Sequence, residues 1–183
     1  MPRIVALFAA ALIALPAVLA GAALPEAAAV EAGARFIMTT QQPDGGFGGF
    51  GPTQSWDAVY ALRSAGYDPS AIMTAGQSPA DFLEGLGPSL ETDTAGNISK
   101  AVLAAQAMNI DPSDVAGVDL LSALEASWVP GSGAEPGNYG ANDIFVNGPV
   151  VLALGCVGGD LPHGVVDSIL ASQYDDGGWG FGA

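Results

Sequence analysis

The sequence feature that most constrains this chain is a glycine-rich loop that it contains more than once. Gln41-Gln-Pro-Asp44-Gly45-Gly46-Phe47-Gly48 returns 132 residues later as Gln173-Tyr-Asp-Asp176-Gly177-Gly178-Trp179-Gly180. At an offset of 92, Gly45-Gly46-Phe47-Gly48 maps onto Gly137-Asn138-Tyr139-Gly140, and Ala61–Asp68 maps onto Ala153–Asp160. At an offset of 43, Asp68-Pro69 returns as Asp111-Pro112. The three offsets are three, two and one copies of a unit of 43–49 residues. A chain built from such units folds by stacking neighbours, because one unit cannot bury its apolar face alone. Ten of the 26 glycines lie in these loops. Their density therefore marks boundaries between elements and not a disordered composition.

Apolar spacing within each unit predicts two helices. The expected spans are 27–40 and 53–65, then 79–86 and 94–109, then 118–128 and 145–157, with a seventh helix over 162–173. Ile98, Ala101, Val102, Ala105 and Met108 repeat at i, i+3, i+4, i+7 and i+10, which is helical spacing. Thr53, Ser78, Asp93 and Thr94 are the expected N-caps. Asp68-Pro69 and Asp111-Pro112 are boundary signals after helices. Alternation of period two is absent, so the fold class is all-α. The second helix of the first unit is apolar on two sides, with Trp56, Val59 and Tyr60 on one and Ala58, Leu62 and Ala65 on the other. Such a helix is buried between neighbours, which predicts two layers of helices.

Arg3, an uncharged run from Ile4 to Pro25 and small residues near Ala20–Ala22 together read as a signal peptide over 1–22. An uncleaved anchor is the competing reading, since about 20 apolar residues can span a bilayer. Residues 23–183 form the repeat domain, and the expected destination is the cell envelope or the exterior. The chain holds 19 Asp and Glu against 4 Lys and Arg, a net charge of −15. Losing Arg3 with the signal peptide makes it −16. So few bases cannot neutralise a phosphate backbone or dock on anionic lipid, which excludes nucleic acid and leaves the membrane to an uncleaved leader alone. The single cysteine, Cys156, sits in an apolar helical run and reads as a small buried hydrophobe.

Gln, three residues, Gly, one residue and an aromatic (Gln41 to Phe47, Gln173 to Trp179) resembles the Gln–Trp repeat of squalene and terpenoid cyclases and the related protein-prenyltransferase β-subunits. The resemblance covers Ala27 to Ala183. It is closest at the two ends, looser in the third copy, and reduced in the second to Gly85-Leu86-Gly87-Pro88. HEAT-type repeats share the period but lack this loop. The resemblance implies an α/α toroid of helical hairpins, here about 3.5 repeats and therefore open. It also implies that Gln41, Asp44, Gly45, Phe47, Gln173, Asp176, Gly177 and Trp179 are structural staples and not catalytic groups.

The catalytic motifs of that superfamily are not matched. Against the cyclases' acidic Asp-x-Asp-Asp-Thr-Ala segment stands Leu90-Glu91-Thr92-Asp93-Thr94-Ala95, in which the donor position is Thr92. Against the prenyltransferase zinc set stand one cysteine, Cys156, and one histidine, His163, without the surrounding motif; His163 reads as an exposed helix-start residue. Asp175-Asp176, Asp111 with Asp114, and Asp81 with Glu84 lack the regular oxygen spacing calcium requires and read as a solvated acidic face. The expectation is an exported, acidic, noncatalytic binding or interaction module with no catalytic residue, metal or cofactor. Trp56, Tyr60 and Tyr139 are the candidate ligand contacts, chosen on aromatic placement. The partner is an unspecified ligand or protein, with self-association through an apolar C-terminal end expected of an open array. The alternative is a terpenoid cyclase- or prenyltransferase-like enzyme, or a fragment of one.

Overall fold

The structure, a computed structural model, describes residues 25–49, 51–132, 137–140 and 143–180. The expected signal peptide lies outside them. The described residues form seven α-helices and no β-strand. These are α1 (Pro25–Met38), α2 (Pro52–Ser64), α3 (Pro79–Leu90), α4 (Ala95–Ala107), α5 (Leu120–Ala126), α6 (Ile144–Val157) and α7 (Val165–Ala171). A short 3-10 turn over Pro69–Ala71 separates α2 from α3. Among the described residues no helix is long and apolar enough to cross a membrane.

Local chemistry sets most of the helix starts. Ser78 caps α3 by accepting from the Asp81 N–H, while Asp81 accepts from the Ser78 N–H, a reciprocal capping box. Thr94 caps α4 by accepting from the Asn97 N–H, and Asp119 and Asp143 cap α5 and α6 in the same way. Of the four expected caps, Ser78 and Thr94 hold those positions. Asp93 stands one residue outside, accepting from the Thr94 N–H and the Asn97 amide. Thr53 lies inside α2, because Pro52 opens that helix and Gly51 is its N-cap.

Helices α5 and α7 fall furthest short of the spans that periodicity predicts, α4 ends two residues early, and α3 is longer. Val118 belongs to a tight turn in which Val115 and Val118 exchange main-chain hydrogen bonds, so α5 starts only after Asp119. At the other end Trp128 leaves the helix to pack on Tyr139, ring centroids 5.0 Å apart. Gly164, at φ 94°, delays the start of α7 to Val165. By contrast α3 runs through Gly85-Leu86-Gly87-Pro88, the segment expected to be the remnant loop of the second copy. Gly87 serves a close approach there: a Cβ on it would lie 2.7 Å from the Val115 carbonyl oxygen.

Helices α2, α4 and α6 pack side by side with α4 in the middle, and α3 and α5 also pack on α4. Helix α1 lies on α2, and α7 on α6. The sequence of α4 suits its central place. Ile98, Ala101, Val102, Ala104 and Ala105 are all buried, and the alanines let neighbouring helices approach closely. Trp56, Val59 and Leu62 of α2, Leu83 of α3, Leu120 and Leu124 of α5, and Val150 of α6 complete the core. Each large apolar side chain buried there contributes about 1.5–3 kcal/mol relative to exposure. The indole N–H of Trp56 is buried without a hydrogen-bond partner.

Cys156 departs from expectation: it is exposed. Helix α6 buries Asn147, Val150, Ala153 and Leu154, and Cys156 falls on its other side. A helix apolar all round gives no sequence signal of which side faces inward.

Candidate functional site

The two well-kept loops share one set of closing hydrogen bonds. The Gln41 amide donates to the Gly45 carbonyl at 3.2 Å, and the Gln173 amide to the Gly177 carbonyl at 2.7 Å. An Asp44 carboxylate oxygen accepts from the Gly46 N–H at 3.0 Å, and Asp176 from the Gly178 N–H at 2.8 Å. The main chain closes each loop through Gln42 N–H to Gly46 carbonyl and Tyr174 N–H to Gly178 carbonyl. Gly45 and Gly177 take φ of 91° and 86°, a left-handed conformation that a side chain disfavours.

The loops differ in what surrounds them. Gln41 is buried, and its amide also donates to the Ile72 carbonyl and accepts from the Thr74 hydroxyl, which ties the first loop to the turn before α3. Phe47 is 2% exposed, whereas Trp179 is 41% exposed and donates its indole N–H to the Ile169 carbonyl of α7. Gln173 is exposed.

Two residues of this system escaped the sequence reading. Ser55 accepts from the Phe47 N–H at 2.8 Å, and Asn147 accepts from the Tyr139 N–H at 3.0 Å. Each polar side chain stands eight residues after its aromatic, at the same 92-residue offset, and both are buried. A buried polar residue recurring at that offset was the available signal. The turns Thr74–Gln77 and Val115–Val118 were missed likewise. Each carries an Ala-Gly pair with positive φ at both central positions (54° and 84°, 53° and 83°).

The candidate ligand residues are placed as follows. Trp56 is fully buried and packs against Phe82, centroids 5.6 Å apart. Tyr139 is 2% exposed and packs against Trp128. Tyr60 is half-buried and donates its hydroxyl to the Lys100 carbonyl. Burial pushes the Tyr60 phenol well above its ordinary range, with the Asp57 carboxylate adding to the effect. Burial likewise raises Tyr139, with a smaller contribution from Glu125. Trp56 and Tyr139 thus pack with different aromatic partners and present almost no ring surface to solvent.

Clefts among the described residues flank the loops. One of about 330 Å³ is walled by Asp44, Phe47, Ser55, Phe82 and Leu86. A second of about 320 Å³ lies between α1 and α2, with Phe36, Thr40, Gln54 and Asp57 in its wall. The third, about 500 Å³, lies beside the C-terminal loop against Asp143, Ser172, Gln173 and Tyr174. Their walls hold one carboxylate each, Asp44, Asp57 and Asp143. Among the described residues no group of three or more His, Cys, Asp or Glu is placed to hold a metal. His163 is exposed, in the segment leading into α7. Comparison with protein-family models, with curated proteins and with solved structures finds no match to this chain.

Proposed function

We propose that this chain is an exported, acidic repeat module of the α/α-toroid type that works by binding and carries out no chemistry of its own. The carrying observation is the use of the motif side chains. Gln41, Asp44, Gln173 and Asp176 each make a hydrogen bond that closes their own loop, and Gln41 also ties its loop to Ile72 and Thr74. The cyclase donor position is Thr92, and Asp93, the acid of that motif that survives here, is an exposed group at the start of α4. A strong proton donor would instead be buried beside a second carboxylate. The side-by-side packing of α2, α4 and α6 supports the toroid-type reading, because a curved array of hairpins brings its second helices together in that order.

The test is turnover and metal content. Incubation of the secreted protein with labelled squalene and with prenyl diphosphates is expected to return the substrates unchanged, and metal analysis to find no stoichiometric zinc. Catalytic turnover of either substrate, or one zinc per chain, overturns the reading.

A further inference from the structure

We infer that the solvent side of α6 is a docking face for a cationic amphipathic helix of another protein. The helix holds no charged residue from Ile144 to Val157, and the uncharged run continues to Gly159. Its inward side is taken by Asn147, Val150 and Leu154. Phe145, Pro149, Leu152 and Cys156 stand at i, i+4, i+7 and i+11, which places them along one line on the opposite side. Leu152 is 62% exposed and Cys156 is exposed as well. Helix α7, packed on α6, exposes Val166 at 47% and Leu170 at 55%, one turn apart. An apolar line of this spacing is the seam along which a second helix packs.

Charge selects the occupant. Residues 101–183 hold ten Asp and Glu, one His and neither Lys nor Arg. Asp143 and Asp160 bracket α6 at its two ends, and Asp167 lies between Val166 and Leu170 on α7. A second copy of this chain would set one carboxylate rim against another, and an anionic lipid surface would be repelled. A helix with Lys or Arg flanking an apolar stripe complements both the seam and its rim. The inference deepens the binding reading above, and its test is separable: turnover and zinc decide that reading whatever occurs at α6.

The experiment is a titration of the full chain, at physiological salt, with a fluorescent synthetic Leu/Lys peptide patterned as an amphipathic helix. The controls are a Leu/Glu peptide of the same pattern and a Lys/Ser peptide of the same charge. The Leu/Lys peptide is expected to bind saturably, one per chain, and to slow the reaction of Cys156 with a thiol reagent. Neither control should do so. Leu152→Asp is expected to weaken binding at least about tenfold. Met73→Asp, at an exposed apolar position in the segment before α3, should leave it unchanged. Equal binding of the Lys/Ser peptide, no protection of Cys156, or wild-type binding by Leu152→Asp each overturns the proposal. So does light scattering that shows a dimer which Leu152→Asp dissociates, since a second copy would then own the face.

Discussion

Gly45 and Gly177 occupy the same place in two copies of one loop, with nearly the same backbone angles, yet they are not equivalent residues. A Cβ on Gly45 would lie 2.1 Å from the Ser78 carbonyl oxygen, a main-chain atom at the start of α3. The nearest atom to a Cβ on Gly177 is the Gln173 amide nitrogen, 3.9 Å away. Both substitutions incur the left-handed penalty of about 1–2 kcal/mol. Only Gly45→Ala must also move backbone. Urea melts followed by tryptophan fluorescence should show a loss of about 1–2 kcal/mol for Gly177→Ala and a clearly larger one for Gly45→Ala. Equal losses would mean that the contact with Ser78 has no energetic weight. The sequence marked both glycines correctly as turn residues. It carried no sign of the Ser78 contact, because that contact joins positions 33 residues apart.

At the scale of the element, carboxylates do much of the work of starting helices and turns. Asp68 and Asp111 each accept from the backbone N–H and the hydroxyl of the serine two residues on. At the first turns of α3 and α5, Asp81 accepts the same pair of bonds from Ser78, three residues before it, and Asp119 from Ser122, three residues after it. These hydrogen bonds, led by the serine at each site, hold all four carboxyls below their ordinary value. A carboxyl whose folded pKa is depressed stabilises the fold above its unfolded pKa and loses that contribution as pH falls through the folded value. Thermal midpoints should therefore be flat above about pH 5 and fall as pH drops below about 4, the ordinary carboxyl range. Asp81→Asn should make that acid slope shallower, and an unchanged slope would show that the capping box adds no pH dependence. Ser78 and Thr94 were legible as caps because capping is local chemistry over three residues. The ends of α5 and α7 were not, because a turn and a glycine beyond the apolar pattern decided them.

The molecule as a whole carries its negative charge with little internal compensation. The two ion pairs among the described residues, Arg35 with Glu31 and Lys100 with Asp57, are exposed or nearly so, and such pairs contribute little. Self-repulsion of a chain at −15 destabilises its compact state. Raising salt shortens the screening length from about 30 Å at 0.01 M to about 8 Å at 0.15 M. The thermal midpoint should therefore rise with sodium chloride over that range, and a midpoint that falls would show attraction outweighing repulsion. The same charge separates the two halves of the chain, since every Lys and Arg lies at or before Lys100.

By itself the sequence determined the helices, the two matching loops and two of the caps, Ser78 and Thr94. Each depends on residues a few positions apart: helical spacing, an Asp or Ser within three residues of a free N–H, a glycine where φ is positive. Tertiary structure decided what no local pattern contains. It turned Cys156 outward, because α6 is apolar on every side and only packing against α4 selects the buried face. It carried α3 through Gly87-Pro88, where the glycine admits the Val115 carbonyl. It took Trp56 and Tyr139 into the core and sent the Gln41 amide across to Ile72, 31 residues away. Those outcomes rest on contacts between distant residues, which exist only once the chain has folded.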